Sequence, residues 1–198
     1  MSAIEKKKGR PLDKSRDRII MQSALELIGE HGYERVSMDR IAQHAGVGKA
    51  TIYRRWTSKT HLVIQAISDV KPFEEILQEV EQFNDLRDQL FHLMASSFRI
   101  EDESIQRAYA AIGSAASQNQ ELELGLQQGY YHKFRLAFFA ILDPYMYPTP
   151  TLTLEQLDLV ADIGPSMIHY RTIVTKKMVD ANYIYQIIDE LILPKLCH

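Results

Sequence analysis

Apolar residues recur along this chain with a helical period almost throughout, and no segment alternates convincingly as a strand. A first helix is predicted over about residues 13–29, with Ile19, Ile20, Leu27 and Ile28 facing inward and Gly32 just past its end. Met38, Ile41, Ala42 and Ala45 fall at i, i+3, i+4 and i+7, the apolar face of a second, short helix. Ser37 precedes that run as an N-cap, and Asp39 puts negative charge in the first turn, where the helix dipole favours it. Gly46 ends the helix, as glycine does where the chain turns left-handed. Val47 reads as an apolar plug before a third helix that begins at Gly48 or Lys49 and buries Ile52 and Trp56 at i, i+4.

From Ser58 a fourth helix carries Leu62, Val63, Ala66, Ile67 and Val70 until Pro72 interrupts the pattern. Residues 72–84 fit either a short helix or a loop. Helices then follow over about 86–100, 103–118 and 121–142. Residues 143–150 are a break, with Pro144, Pro148 and Pro150 close together. Helices over about 153–177 and 180–193 complete the chain. The expected fold is all-α without internal repeats: an N-terminal three-helix domain over 1–57 and a larger helical domain over 58–198.

The third helix leaves Ala50, Thr51, Tyr53, Arg54 and Arg55 for its other faces. Two short helices hinged by a glycine turn, the second bearing small, hydroxyl, aromatic and cationic side chains, form a helix-turn-helix whose second helix enters the DNA major groove. Ala50 lets the backbone come close, and its methyl or that of Thr51 can touch a thymine methyl. Arg54 or Arg55 reaches guanine or phosphate, Tyr53 suits a phosphate, and Lys59, opening the next helix, is placed for another. The predicted DNA-binding set is Ser37, Lys49, Ala50, Thr51, Tyr53, Arg54, Arg55 and Lys59.

The segments His31-Gly32-Tyr33, Ile41-Ala42-Gln43-His44-Ala45-Gly46-Val47 and Ile52-Tyr53-Arg54-Arg55-Trp56, with Lys59, carry a resemblance. Over residues 12–66 the chain resembles the N-terminal domain of TetR-family transcriptional repressors. Gly48 departs from the pattern, since many members carry Ser there. The resemblance implies a nine- or ten-helix plan, a homodimer, a pseudo-palindromic double-stranded operator, and a small-molecule effector held in the body.

Charge agrees with that division. Residues 1–62 hold 13 Lys and Arg against 7 Asp and Glu, whereas residues 63–198 hold 10 against 19. A basic head on an acidic body suits a protein whose head alone meets a polyanion. The single cysteine, Cys197, rules out an internal disulfide framework and fits a reducing cytoplasm. Lys6, Lys7, Lys8 and Arg10 precede no apolar signal region, and the longest apolar run, 136–142, is too short to span a bilayer. The chain therefore reads as cytoplasmic, with no membrane partner. Its basic start is either an arm that brushes phosphates or a disordered tail.

In the resembled family the last two helices pair with those of a second subunit. Leu157, Val160, Gly164 and Ile168, with Ile184, Ile187, Ile188 and Leu191, make the matching apolar stripes here. The alternative is that both stripes face the chain's own core. Two-fold pairing places two recognition helices about one DNA turn apart. Phe91, His92, Phe98, Tyr109, Tyr131, Phe134 and Met167 are the candidate lining of an effector cavity suited to a hydrophobic or flat aromatic molecule. No histidine has Glu three positions before it, and no His-Glu-x-x-His, phosphate loop, Gly-x-Ser-x-Gly or paired cysteine is present. An enzyme, a metal and a cofactor are not expected. The competing reading is a DNA-binding regulator of the same fold that is not controlled by a small ligand and acts through a protein partner, as an activator or in an architectural role.

Overall fold

A computed structural model describes residues 14–69, 71–145 and 152–196. Within them every regular element is helical and no strand occurs. Val70, the basic arm, most of the proline-rich break and Cys197 lie outside the described residues.

The head comprises α1 (Lys14–His31), α2 (Met38–His44) and α3 (Lys49–Tyr53). Ile20, Met21, Ala24, Leu25, Leu27 and Ile28 form the buried face of α1. Ile19, expected to face inward, is instead 53% exposed, because it lies one residue out of phase with the Ile20–Ala24–Leu27 row. Ile41, Ile52 and Trp56 are buried against that row and knit the head together.

α4 (Lys59–Asp69) joins head to body, burying Leu62, Val63, Ala66 and Ile67. Beyond Pro72 the ambiguous stretch is a helix, α5 (Phe73–Val80), whose Phe73, Ile76 and Val80 are buried at helical spacing. α6 (Leu86–Ser97) is capped by Asp85 and α7 (Glu103–Ala116) by Asp102, each side chain accepting an orphan backbone N–H. α7 lies along α1, and α1 also packs on α4, so the head rests on the body through two helices.

The long helix expected over 121–142 is interrupted. It divides into α8 (Gln120–Leu126), a π-turn (Gln127–Tyr131) and α9 (His132–Leu142). α10 (Leu154–His169) opens with a capping box, Thr153 with Gln156, and contains Pro165. It runs into a second π-turn at Tyr170–Val174. α11 (Ala181–Ile187), a third π-turn (Ile188–Ile192) and α12 (Leu193–Leu196) finish the described chain. Each π-turn inserts one residue into the helical ladder, which advances the facing of everything after it. Among the described residues no helix is long and apolar enough to cross a membrane.

The stripes expected to meet a second subunit need correction. Val160, Gly164, Ile168, Ile184, Ile187 and Ile188 are buried in the chain's own core, and Leu157 packs partly buried against it. Gly164 sits directly against Met94 of α6. Of that set only Leu191 is exposed. The apolar side chains that α10 and its π-turn turn outward are instead Leu154, Leu159, Tyr170 and Val174.

Candidate nucleic-acid interface and body cavity

Local chemistry sets the α2–α3 geometry. The Ser37 hydroxyl accepts the backbone N–H of Arg40 at 3.2 Å, so its oxygen is occupied as a helix cap. Gly46 has φ +64°, the left-handed conformation the turn requires, and Val47 N–H then returns to Ala42 C=O at 2.9 Å. α3 begins after Gly48, which offers no side-chain cap where a serine would. Ile52 and Trp56 anchor α3 from below, and Trp56 Nε1 donates to Gln65 Oε1 of α4 at 2.7 Å.

This anchoring divides the sequence-predicted contacts into two groups. Lys49, Ala50, Tyr53 and Arg54 are exposed on one side of α3, and Thr51 is half-buried beside them. Arg55 is not on that surface. It is ion-paired with Asp17 of α1, with only 11% of the Arg55 side chain exposed. Lys59 is likewise committed: its Nζ donates to Tyr33 C=O at 2.7 Å and lies 3.9 Å from the centre of the Tyr33 ring. Burial holds the Lys59 pKa below its ordinary value. The Tyr33 hydroxyl meets Thr60 Oγ1 at 3.0 Å, and burial raises its pKa. Arg55, Lys59 and Ser37 thus brace the head, for reasons of helical phase that spacing alone did not settle.

Two features beside α3 were not singled out as contacts from the sequence. Arg16 and the exposed Ile19 line a cleft with Val47, Gly48 and Thr51. Asp39 faces α3, where its carboxylate lies 2.5 Å from Lys49 Nζ and 3.5 Å from the Tyr53 hydroxyl. The hydrogen bond from Lys49 to Asp39 raises the lysine's pKa.

The body holds an aromatic cluster centred on Tyr130. Phe73, Phe98, Tyr109 and Tyr131 surround it with ring centroids 5.3–5.9 Å away, mostly edge to face. The Tyr130 hydroxyl donates to Ser97 C=O at 2.9 Å, and burial pushes its pKa well up. Next to this cluster is a cavity of about 50 Å³, lined among others by Ile67, Phe98, Tyr109, Tyr131, His169 and Thr172. Gln106 also lines it, its amide fully used by the backbone of Ile100 and Val179. Tyr131, Pro165 and His169 also border an open groove of about 650 Å³ between α9 and α10.

Residues 20–66 match the family model described as bacterial regulatory proteins, tetR family. An HTH-type transcriptional regulator of Mycobacterium tuberculosis is 27% identical over 99% of this chain and 97% of its own length. The chain belongs to the TetR family of transcriptional regulators. The repressor KstR of Rhodococcus jostii is 38% identical over the head alone, 32% of this chain and 29% of its own. Among solved structures, a TetR-family regulator from Mesorhizobium loti superposes with a TM-score of 0.66 at 17% identity, covering 94% of this chain and 98% of that one. FadR of Bacillus subtilis, solved with stearoyl-CoA, superposes at 0.63 and 16% identity over 88% and 97%. The TetR-family fold is therefore present along the described body as well as the head.

Within that fold the sequence-predicted cavity residues separate. Phe98, Tyr109 and Tyr131 line the small cavity, and Phe134 borders the open groove. Phe91 lies away from both, stacked on Tyr185 with centroids 4.1 Å apart. His92 is on that same outer side, its Nε2 2.7 Å from Glu79 Oε2, while Lys71 holds the Glu79 pKa below its usual range. Met167 lines neither the cavity nor the groove, and its backbone carbonyl accepts the Tyr183 hydroxyl at 3.3 Å. Gln106, His169 and Thr172 also line the small cavity, and no aromatic-rich run of the sequence marks them. Among the described residues no cluster of His, Cys, Asp and Glu is suited to a metal ion.

Proposed function

We propose that this TetR-family chain is a ligand-released repressor, with residues 1–57 as the DNA-reading head and 58–198 as the effector-binding and dimerising body. One observation carries the reading. Ile67, on the helix that joins head to body, is part of the cavity wall. A molecule that fills the cavity presses on α4 directly, and α4 is tied to the end of α3 through Gln65 and Trp56. Effector and operator then favour different placements of α4, so each lowers affinity for the other.

The cavity and groove share Tyr131, Pro165 and His169, so an effector entering from the groove passes between these side chains. The lining suits an apolar or flat aromatic body with one polar end at His169 or Thr172. FadR, which shares the fold, was solved with stearoyl-CoA, and a long acyl chain meets that description. A second copy of the chain seats on the outward apolar face of Leu159, Tyr170 and Val174, and the two heads then read a pseudo-palindromic duplex. Lys49, Tyr53 and Arg54 are its phosphate and base contacts, with Ala50 and Thr51 against base methyl groups.

The test is fluorescence anisotropy of a labelled duplex carrying the inverted repeat nearest the chain's own gene. Long-chain acyl-CoA and polycyclic aromatic compounds are titrated in, and melting is followed in parallel. Release of the duplex, with a raised melting temperature, supports the proposal. If no compound changes either quantity, regulation by a protein partner takes its place. About 50 Å³ holds only a few waters, so in the first reading a drug-sized effector occupies the adjoining groove and puts only one end into the cavity.

A further inference from the structure

Within its own helix Asp39 supplies only first-turn charge to the dipole, and the capping is done by another residue. Ser37 caps α2, and the Asp39 carboxylate turns instead towards α3. Its Oδ2 pairs with Lys49 Nζ at 2.5 Å, and its Oδ1 is 3.5 Å from the Tyr53 hydroxyl, the outer limit of a hydrogen bond. Side-chain exposure is 46% for Asp39 and 69% for Lys49. The pair is therefore weak and open to exchange with an incoming phosphate. Together these contacts put a negative group on the reading surface and engage two of its DNA-facing side chains.

We infer that Asp39 is a specificity-determining residue of DNA reading, one that withholds Lys49 and Tyr53 from loosely docked backbone and yields them to a closely fitted site. The inference rests on α3 being the reading helix. A loosely docked duplex offers Lys49 only solvent-separated phosphates, which do not repay loss of a direct carboxylate contact. A closely fitted duplex offers a direct, charge-assisted contact that does. The carboxylate left behind also repels any phosphate nearby. Asp39 therefore penalises indiscriminate binding more than sequence-specific binding, a repulsive contribution to selectivity.

The experiment compares the full-length dimer, Asp39→Asn, Asp39→Glu, Lys49→Ala and the Asp39→Asn/Lys49→Ala double variant. Each is titrated against a labelled random-sequence duplex and against the sequence that wild type selects from a random library, across a salt series. Asp39→Asn is expected to bind the random duplex about threefold tighter at low salt, with a log–log salt slope steeper by about 0.9 per bound head. Its preference for the selected sequence falls about threefold, because that complex gains less. Asp39→Glu keeps the wild-type slope, and thermal melting of Asp39→Asn stays near wild type. In the Lys49→Ala background, Asp39→Asn leaves the slope unchanged. The inference is overturned if Asp39→Asn binds like wild type, or if its effect persists in full without Lys49. A wild-type protein with no salt-dependent duplex binding removes α3 as the reading helix, a different failure from either of these.

Discussion

A methyl group added at Gly125 tests whether α4 is held where the fold needs it. A Cβ there meets Cδ1, Cγ1 and Cγ2 of Ile64 on α4, and two of those three carbons sit on the Ile64 Cβ, where rotation of the chain end cannot remove them. Two opposed effects decide the outcome of Gly125→Ala. Alanine in place of glycine stabilises a helix by about 1 kcal/mol. Forcing an extra methyl into a filled contact costs about 1–3 kcal/mol. The net expectation is a loss of about 1 kcal/mol, or about 2–4 °C in melting temperature for a chain of this size. In an Ile64→Ala background the obstruction is gone and only the helix gain remains, so the same change stabilises by about 1 kcal/mol. The coupling in the double-mutant cycle is therefore about 2 kcal/mol, within the range of residues in direct contact. Thermal melting at one fixed protein concentration reads all four corners, since any association between copies would make the melting temperature concentration-dependent. A Gly125→Ala chain that melts higher than wild type, by the same amount in both backgrounds, refutes the close seating of α4 on α8.

Arg55→Ala should destabilise the head by about 1.5–3 kcal/mol, because it strands Asp17. It should leave the salt slope of duplex binding unchanged, and urea melting with anisotropy separates the two effects. Arg54→Ala, on the exposed side of α3, should instead leave melting unaffected and cost about 1–3 kcal/mol at one position of the selected sequence. The tyrosines give a pH dependence with a definite sign. Tyr33, Tyr109 and Tyr130 have folded pKa values above the ordinary 10.0, burial being the first cause in each. Their contribution is thus fully present below about pH 10 and is lost as pH rises from there through the folded values. Melting followed with tyrosinate absorbance should show stability falling above pH 10, with the fall shallower in Tyr130→Phe; a flat profile to pH 11 refutes the assignment.

The head was legible in the sequence because short helices leave few choices. Met38, Ile41 and Ala42 can bury only one face, Gly46 can end α2 only one way, and Ile52 with Trp56 then fixes which side of α3 looks out. What spacing did not supply was which cations remain available. Arg55 and Lys59 stand in the same run as Arg54, yet a rotation of one residue sends Arg55 towards Asp17, and Lys59 finds the Tyr33 carbonyl and ring. Each partner is distant in sequence and carries no periodic signal.

In the body the same limit acts on whole helices. An apolar stripe states that a face is buried but not what buries it, so Val160, Ile168, Ile184 and Ile188 fitted a subunit interface as well as the core they occupy. The π-turns sharpen the difficulty. The turn at Gln127–Tyr131 and that at Tyr170–Val174 each shift the helical phase by one residue. The first does so where Tyr130 enters the aromatic cluster and Tyr131 reaches the cavity wall. A helical period puts His169 and Thr172 on one face, but it does not say that they meet Tyr130, Tyr131 and Ile67 of α4 around one cavity, because those partners are distant in sequence. The first phase break thus lies in the wall of the candidate effector site, and it stands in direct contact with α4, the helix that joins head to body.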